Sequence, residues 1–429
     1  MKVIKNYQQA AVAMDRSIGY DPGSKTEAAV RVIVENVRKG GNKALLAYTE
    51  QFDGARLKSL EVTAREIAAA LRTADPQLIK ALEFAAARVE KFHRTCLRKY
   101  GSGFLKDGLG QQVLPLERVG VYVPGGTASY PSTVLMTAIP ARVAGVKEII
   151  MATPCGRDGK VPANTLAAAA IAGVDRIFKI GGAQAIAAMA FGTESVPRVD
   201  KVCGPGNIYV MTAKKLVYGV VDIDALQGPS EVVVIADGSA DPAFCAADLV
   251  AQSEHDAMAS SILITTSERL AVSVQAELKK QLAGLKRNTI AGKALQANGL
   301  IIIVKTLEQA IELSNLYAPE HLSLMLRNAG LYLGLIRNAG CICGGQYSPV
   351  VLGDYVAGPS HALPTGGSAR FSSPLSVQDF LKISSVICLE DDAISRLGPP
   401  AVLLAENEGL SGHANAIRIR LNKRRDRRK

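Results

Sequence analysis

The chain has 429 residues, of which 48% are hydrophobic and 21% are charged. This composition is typical of a globular protein with enough apolar material for two or more domains. Residues 1–19 lack the continuous apolar segment of a secretory signal. The longest apolar run, Thr165–Val174, is shorter than the roughly 18 residues of a membrane span. These features predict a cytoplasmic protein without a membrane partner.

The formal net charge of +11 is concentrated at the C-terminal end. Eight basic residues and one aspartate give the last twelve residues a charge of +7, so the other 417 carry only +4. Such a tail can contact phosphates, but a solvated terminus is the commoner case. We therefore expect no nucleic-acid partner, and a nucleic-acid-binding protein without catalytic activity remains a secondary alternative.

Cysteine usage indicates reduced thiols. Seven cysteines, an odd number, are spread over the chain, which does not indicate a disulfide framework. Cys341 and Cys343 form the only close pair, and no second pair exists to complete a thiolate metal site. Buried free thiols are the preferred interpretation.

In chain order, residues 25–100 come first and show apolar residues at three-to-four spacing, which predicts helices with a break at Gly40-Gly41. Thr63 and Glu66 form a capping-box pattern that begins a further helix. From about residue 113, short β-branched runs alternate with alanine-rich stretches. This alternation is typical of βαβ units, in which parallel sheets carry helices on both faces.

The predicted strands are Arg118–Val123, Glu148–Met151, Arg176–Ile180, Glu231–Ala236, Ser261–Thr265 and Gly299–Val304. The predicted helices between them are Ser132–Ala144, Ala163–Gly173, Ala183–Ala190, Asp241–Ser253 and Leu307–Tyr317. The alternating region is long for one open sheet, so we expect an α/β protein with two parallel-sheet domains that meet near Ala225–Gly228. The predicted domains are a helical N-terminal region (1–112), a first sheet domain (113–227), a second sheet domain (228–374) and a helical C-terminal extension with the basic tail (375–429).

Histidines are the most informative residues, because four of the five lie beside acidic or loop-forming residues. Gln252 and His255 are three apart near the end of a helix, so both side chains can reach one cation. Glu320 and His321 are adjacent and suit proton transfer near neutral pH. Further oxygen and imidazole groups of the kinds that zinc accepts come from Asp354, His361, Glu408 and His413. Each residue has an alternative interpretation as a surface or capping residue, which their joint occurrence disfavours.

Three predicted strand-to-helix turns are rich in glycine: residues 122–126 (YVPGG), 181–184 (GGAQ) and 204–207 (GPGN). Such turns let a pyrophosphate approach backbone N–H groups and the positive end of a helix. Neither G-x-G-x-x-G nor G-x-x-x-x-G-K-[ST] occurs in the chain. The residues are thus compatible with a nucleotide site that lacks the usual fingerprint.

Nine segments, in this order, resemble the histidinol dehydrogenase family. They are YVPGG (122–126), GGAQAIAA (181–188), GTESVP (192–197), VDKVCGPGN (199–207), GPSEVVVIAD (228–237), QSEH (252–255), APEHL (318–322), GDYVAG (353–358) and SHALPT (360–365). Residues 25–53 are also similar to the N-terminal region of the family, so the resemblance covers nearly the whole chain.

The resemblance implies a role for each of these positions. The implied zinc ligands are Gln252, His255, Asp354 and His413, and the implied acid–base pair is Glu320 and His321. The implied contacts to the substrate, histidinol, are Ser230, Gln252, His255, His321, Asp354, His361, Glu408 and His413. The implied NAD site is lined by Tyr122, Gln184 and Asn207.

The resemblance also implies two incomplete Rossmann-like domains with helical N- and C-terminal extensions. It implies an intertwined homodimer, in which Glu408 and His413 enter the active site of the partner subunit. The implied reaction is the NAD-dependent oxidation of L-histidinol through histidinal to L-histidine, the last steps of histidine biosynthesis. In that reaction zinc orients the substrate, His321 takes the hydroxyl proton and Glu320 activates water.

One alternative keeps the scaffold and changes the substrate to another small polar alcohol. Glu408 and His361 disfavour it, because a site for an amine and an imidazole needs an anion and a hydrogen-bonding partner there.

Overall fold

The computed structural model describes residues 1–15, 25–125 and 129–427, with the backbone alone for 424–427. Gly126 of the first glycine-rich turn and the last two residues of the basic tail lie outside the described residues. The chain divides into two compact units: a large unit, Met1–Leu97 with Leu116–Phe380, and a small unit, Arg98–Pro115 with Leu381–Lys429. All seven cysteines are free thiols. Among the described helices, none has both the length and the apolar character to span a bilayer.

The strands are β1 (Lys2–Ile4), β2 (Phe104–Lys106), β3 (Leu109–Pro115), β4 (Arg118–Tyr122), β5 (Glu148–Thr153), β6 (Arg176–Lys179), β7 (Lys201–Cys203), β8 (Asp222–Ile223), β9 (Glu231–Ala236), β10 (Ser260–Thr265), β11 (Leu300–Ile303), β12 (His321–Met325), β13 (Cys341–Gly344) and β14 (Leu381–Ile387).

The α-helices are α1 (Tyr7–Met14), α2 (Lys25–Asp53), α3 (Ala64–Thr73), α4 (Pro76–Tyr100), α5 (Pro131–Ala144), α6 (Ala163–Ala172), α7 (Gly182–Phe191), α8 (Ile208–Val217), α9 (Pro242–Ser253), α10 (Glu268–Ala283), α11 (Asn288–Asn298), α12 (Leu307–Tyr317), α13 (Val350–Tyr355), α14 (Ala393–Asn407) and α15 (Ser411–Arg427). Short 3₁₀ helices lie at Ala329–Leu335, Ser368–Arg370 and Val377–Phe380. Every predicted strand and helix between residues 118 and 317 is present, with ends that differ by no more than two residues.

The large unit contains two parallel sheets. The first has the order β6-β5-β4-β7-β8, and the second has the order β1-β11-β10-β9-β12-β13. In the first sheet, β4, β5 and β6 are neighbours in that order, and β7 and β8 lie on the other side of β4. In the second sheet, β9, β10 and β11 are arranged in the same way, with β12 and β13 on the other side of β9. In each sheet, these five strands have the order of a doubly wound dinucleotide fold without its sixth strand. In the second sheet, β1 adds a strand beside β11 at the outer edge. The predicted pair of incomplete Rossmann-like domains is therefore confirmed.

The sequence of β9 explains why the second sheet is buried on both faces. Val232 and Val234 pack into one apolar cluster with α9 and α10, whereas Val233 and Ile235 pack into another with α12. Alternate residues of a strand point to opposite faces, so a continuous apolar run must be covered on both. The same burial applies to all six residues of β9.

The small unit has a different architecture. The strand β14 pairs antiparallel with β3 over seven residue pairs, and β2 lies on the other side of β3. The helices α14 and α15 pack together, with the Gly398 backbone close to Ile417 and Leu421. A strand at 381–387 differs from the helical pattern predicted beyond residue 375. Its partner lies about 270 residues earlier in the chain, so no local pattern could indicate the pairing. The predicted domain boundaries remain predictions.

Candidate active site

The predicted acid–base pair lies at the amino-terminal edge of the second sheet. Glu320 precedes β12, His321 begins it, and both are buried. Glu320 Oε2 accepts a hydrogen bond from the Glu231 backbone N–H at 2.7 Å and one from Gln252 Nε2 at 3.3 Å. His321 Nδ1 donates to the Glu231 carbonyl oxygen at 3.2 Å. Both side chains are thus held against β9 and α9, as groups that transfer protons at a defined position must be.

His321 lies between two carboxylates. Its Nδ1 is 3.5 Å from Glu320 Oε2, and its Nε2 is 3.4 Å from Asp354 Oδ1. Burial disfavours the imidazolium form, but the charges of Glu320 and Asp354 outweigh burial and hold the pKa of His321 well above its ordinary value. Burial likewise disfavours the Asp354 carboxylate, yet its hydrogen bond to His321 and the neighbouring imidazoles lower the pKa of Asp354.

The ring of His361 is fixed from two sides. Its Nδ1 donates to the Asp354 carbonyl oxygen at 2.7 Å, which leaves Nε2 to accept from Thr133 Oγ1 at 3.2 Å. Burial lowers the pKa of His361, so the neutral ring is favoured. Thr133 belongs to the first turn of α5, and this contact therefore joins the first sheet domain to the segment after α13, the helix that carries Asp354.

Three of the predicted zinc ligands, Gln252, His255 and Asp354, belong to the large unit. Gln252 is buried in the last turn of α9, and His255 is exposed in the turn that follows. The imidazoles of His255 and His361 both act electrostatically on the Asp354 carboxylate. The described residues contain no cluster of three His, Cys, Asp or Glu side chains with metal-binding geometry. An amide, an imidazole and a carboxylate nevertheless fit zinc, which accepts N and O donors.

The remaining predicted substrate contacts are divided between the units. Ser230 directly precedes β9, at the same sheet edge as Glu320, and its carbonyl oxygen accepts from the Ser260 N–H at 3.0 Å. Glu408 caps the C-terminal end of α14, and His413 lies in the first turn of α15; both are exposed. Glu408 and His413 belong to the small unit, and their roles remain predictions.

The predicted cofactor residues lie at or beyond the carboxyl ends of strands of the first sheet. The Tyr122 hydroxyl accepts from the Gly182 N–H at 3.0 Å, and burial raises the pKa of Tyr122 to about 12. Gln184 is 1% exposed, and its Oε1 has no hydrogen-bond partner within the described chain. Asn207 caps α8, where its Oδ1 accepts from the N–H groups of Tyr209 and Val210.

This edge of the first sheet fits a dinucleotide. A Cβ at Gly181 would lie 2.7 Å from Pro154 Cβ, and a Cβ at Gly204 would lie 2.1 Å from the Tyr122 carbonyl oxygen. Only glycine permits such close backbone approach. The unpaired Oε1 of Gln184 is a buried acceptor that a hydroxyl or amide of NAD could satisfy, since an unmade buried hydrogen bond costs about 1–3 kcal/mol.

Sequence reasoning missed Asp248. Its Oδ2 accepts from Ser323 Oγ at 3.2 Å, and it also receives a hydrogen bond from the Val350 backbone. Burial raises the pKa of Asp248 to about 6. The residue therefore ties β12 and α13, which carry His321 and Asp354, to α9. Its position four residues before Gln252, in an otherwise apolar helix, was the available signal.

Two sheets with the strand order of dinucleotide-binding folds, and a buried proton-transfer pair at the start of β12, define an α/β oxidoreductase. The family model for histidinol dehydrogenase matches residues 20–421. The chain is 53% identical over 415 residues to the histidinol dehydrogenase of Dehalococcoides mccartyi strain CBDB1, covering 95% of this chain and 92% of the relative. It is also 53% identical to that of Syntrophotalea carbinolica, covering 94% of each. The chain belongs to the histidinol dehydrogenase family.

A solved structure supports the same assignment. The crystal structure of histidinol dehydrogenase from Elizabethkingia anophelis is 37% identical and superimposes with a TM-score of 0.93, over 99% of this chain and 98% of that one. The predicted family, fold class and enzyme class are thereby confirmed.

Proposed function

We propose that this chain oxidises L-histidinol through histidinal to L-histidine, the last steps of histidine biosynthesis, with NAD as the electron acceptor. The observation that carries the proposal is the buried pair Glu320 and His321, held between β9, α9 and Asp354. The names of the relatives support the identity of the substrate.

The two members of the pair have different surroundings and different roles. The neutral form of His321 accepts the proton of the substrate hydroxyl as the alcohol is oxidised to the aldehyde, and the neighbouring carboxylates that raise the pKa of His321 make that neutral ring a stronger base. Glu320 accepts a proton from the water that adds to the aldehyde, and the second oxidation then yields the carboxylate. Asp354 and the Glu231 carbonyl oxygen orient the His321 ring. The Gln252 amide and the Glu231 N–H keep Glu320 Oε2 in place.

Zinc would be held by Gln252, His255 and Asp354, with His413 contributed by a second copy of the chain, and would supply a fixed positive charge that orients the imidazole and amine of the substrate. NAD would bind along Tyr122, Gln184 and Asn207 and would accept two electrons in each oxidation. Ser230, His361 and Glu408 would contact the substrate. The enzyme would work in the cytoplasm as a homodimer, without nucleic-acid or membrane partners.

The test is the yield of NADH from a known, limiting amount of histidinol, with protein supplied with zinc. Two NADH per histidinol are expected, because the alcohol loses four electrons on its way to the acid. One NADH with accumulation of the aldehyde would contradict the proposed second oxidation. No NADH from histidinol, together with turnover of another amino alcohol, would favour the alternative substrate.

A further inference from the structure

Asp53 places a carboxylate where it does not stabilise the fold. It is the last residue of α2, and no basic residue lies in the last turn of that helix. A negative charge is unfavourable at the C-terminal end of a helix. Asp53 Oδ2 is buried and has no hydrogen-bond partner among the described residues. Burial raises the pKa of Asp53 to about 6, so the charged form of this side chain lowers the stability of the folded state.

The carboxylate lies in the crevice at the carboxyl-terminal edge of the first sheet. The chain after α2 runs antiparallel to β6, since the Lys179 N–H donates to the Leu60 carbonyl oxygen and the Val62 N–H donates to that of Ile177. Residues before Leu60 therefore lie beyond the carboxyl end of β6. Burial raises the pKa of both Tyr122 and Cys155, and the charge of Asp53 raises both further. Tyr122 is the last residue of β4, and Cys155 lies just after β5.

A second unsatisfied acceptor faces the same crevice. Tyr122 accepts from the Gly182 N–H at 3.0 Å, and a Cβ on Gly182 would lie 2.8 Å from Gln184 Oε1. That oxygen also lacks a partner in the described part of the chain. Two buried acceptors without donors among the described residues, both near Tyr122, suit a ligand that brings several hydrogen-bond donors.

We propose that Asp53 accepts hydrogen bonds from the ribose hydroxyls of the adenosine half of NAD and thereby selects NAD over NADP. A vicinal diol presents two donors to one carboxylate, whereas a 2′-phosphate presents only negative charge. This inference rests on the proposed function, because it assumes that NAD binds along Tyr122 and Gln184.

The strand order identifies which half of the dinucleotide reaches Asp53. The segment that follows β8 leads directly to Ser230 and the acid–base edge, whereas β5 and β6 lie on the opposite side of β4. The reacting nicotinamide must approach Glu320 and His321. The crevice above β5 and β6 is therefore left to the adenosine end.

Arg157 is a positively charged residue close to Asp53 in the chain fold. A Cβ on Gly54, the residue after Asp53, would lie 3.4 Å from Arg157 Cγ and 3.7 Å from its Nε. An arginine in this position attracts a 2′-phosphate once the carboxylate is neutralised. The balance between Asp53 and Arg157 thus sets the cofactor preference.

The experiment measures binding without turnover. Calorimetric titrations of ADP-ribose, its 2′-deoxy form and its 2′-phosphorylated form are compared for the parent and for Asp53→Ala and Asp53→Asn. In the parent, loss of the 2′-hydroxyl should weaken binding about 10- to 100-fold, the effect of one charge-assisted hydrogen bond.

Asp53→Ala should bind ADP-ribose and its 2′-deoxy form equally. Asp53→Asn should bind the 2′-phosphorylated form about 10-fold more tightly than the parent does, and Asp53→Asn with Arg157→Gln should lose that gain.

Asp158→Asn is the matched control, because it removes an exposed carboxylate beside Arg157 and should change none of the three affinities by more than about 2-fold. Without nucleotide, Asp53→Asn should unfold at a higher temperature than the parent, whereas a structural role for Asp53 would lower that temperature. If the parent binds ADP-ribose but does not distinguish it from the 2′-deoxy form, the role of Asp53 is wrong and the proposed function stands. If the parent binds neither ADP-ribose nor NAD, both are wrong.

Discussion

At the scale of single residues, Glu320 and His321 are adjacent in sequence but have different partners. The Oε2 of Glu320 is fixed by two N–H donors, whereas His321 lies between two carboxylates. The sequence could indicate that both are proton-transfer groups, because their chemistry is local. It could not indicate Asp248 or the Glu231 backbone as their supports, since these contacts join residues separated by 68 to 90 positions.

This difference predicts that the two residues serve different half-reactions. Glu320→Gln keeps the size and hydrogen bonding of the side chain but removes its basicity, so it should slow aldehyde oxidation about 10²–10⁴-fold and alcohol oxidation much less. His321→Asn should show the opposite bias. The measurement is single-turnover NADH formation, started once from histidinol and once from histidinal. Equal slowing of both rates by Glu320→Gln would mean that the pair acts as a single unit.

His93 predicts a pH dependence of stability away from the active site. It is fully buried in α4, and neither ring nitrogen has a hydrogen-bond partner in the described chain. Burial lowers the pKa of His93 from 6.5 to about 4. The unfolded chain therefore binds the proton at higher pH than the folded chain does, and stability is lost as the pH falls from 6.5 towards 4.

This residue should account for about 2 kcal/mol of lost stability at pH 5 relative to pH 7.5. His93→Leu removes the titrating group while keeping an apolar side chain, so its unfolding free energy should fall by that much less over the same range. Urea unfolding of both proteins at the two pH values measures the difference. The same pH dependence in parent and variant would show that His93 is not the cause.

At the scale of elements, patterns within one strand or helix were informative and pairings across the chain were not. The runs of β4, β9 and β10 are apolar because both faces of their sheets are covered, and this is visible in the sequence. The strand β12, between β9 and β13, is only five residues long and begins with His321 of the acid–base pair, so no pattern separates it from that motif as a strand. The edge strand β1 has three residues, of which two are exposed, and carries almost no pattern.

The predicted break at Gly40-Gly41 is a kink in α2 with a testable cause. Gly41 has φ 49° and ψ −134°, a region open to glycine alone. A Cβ there would lie 2.4 Å from Glu194 Oε2, the oxygen that accepts from the Asn42 N–H at 2.8 Å. Glu194 therefore caps the second part of α2 in place of the interrupted helix.

Gly41→Ala should lower the unfolding free energy by about 1–3 kcal/mol from backbone strain, and the contact with Glu194 adds to this loss. Gly40→Ala is the control, because Gly40 is helical and alanine there gains about 1 kcal/mol in helix propensity, offset by a tight 3.1 Å contact with Ala44 Cβ. Chemical denaturation of the two variants measures the contrast. Equal effects at both positions would contradict the role assigned to the kink.

At the scale of the whole molecule, the small unit exposes several large apolar side chains. Exposed large side chains include Phe104, Leu105, Ile387, Leu403 and Leu404, each between 59% and 74% accessible. Exposed large apolar side chains of this kind favour an interface with another chain. Glu408 and His413 belong to the same unit and are exposed as well. This supports the proposed homodimer, in which each small unit completes the active site of the other copy.

Shared active sites predict complementation between inactive chains. His413→Ala damages the small unit and His321→Ala damages the large unit, so each homodimer should be inactive. In a heterodimer, the intact large unit of the His413→Ala chain meets the intact small unit of the His321→Ala chain, and one of the two sites has a full set of residues. Purified heterodimer, isolated by two affinity tags after co-refolding, should therefore recover up to about half of the parental activity.

The matched control pairs His413→Ala with Glu408→Ala, since both changes lie in the small unit and every site then lacks one residue. Recovery in the first pair and none in the second is expected. If the first heterodimer forms but stays inactive, His413 acts within its own chain and the sites are not shared.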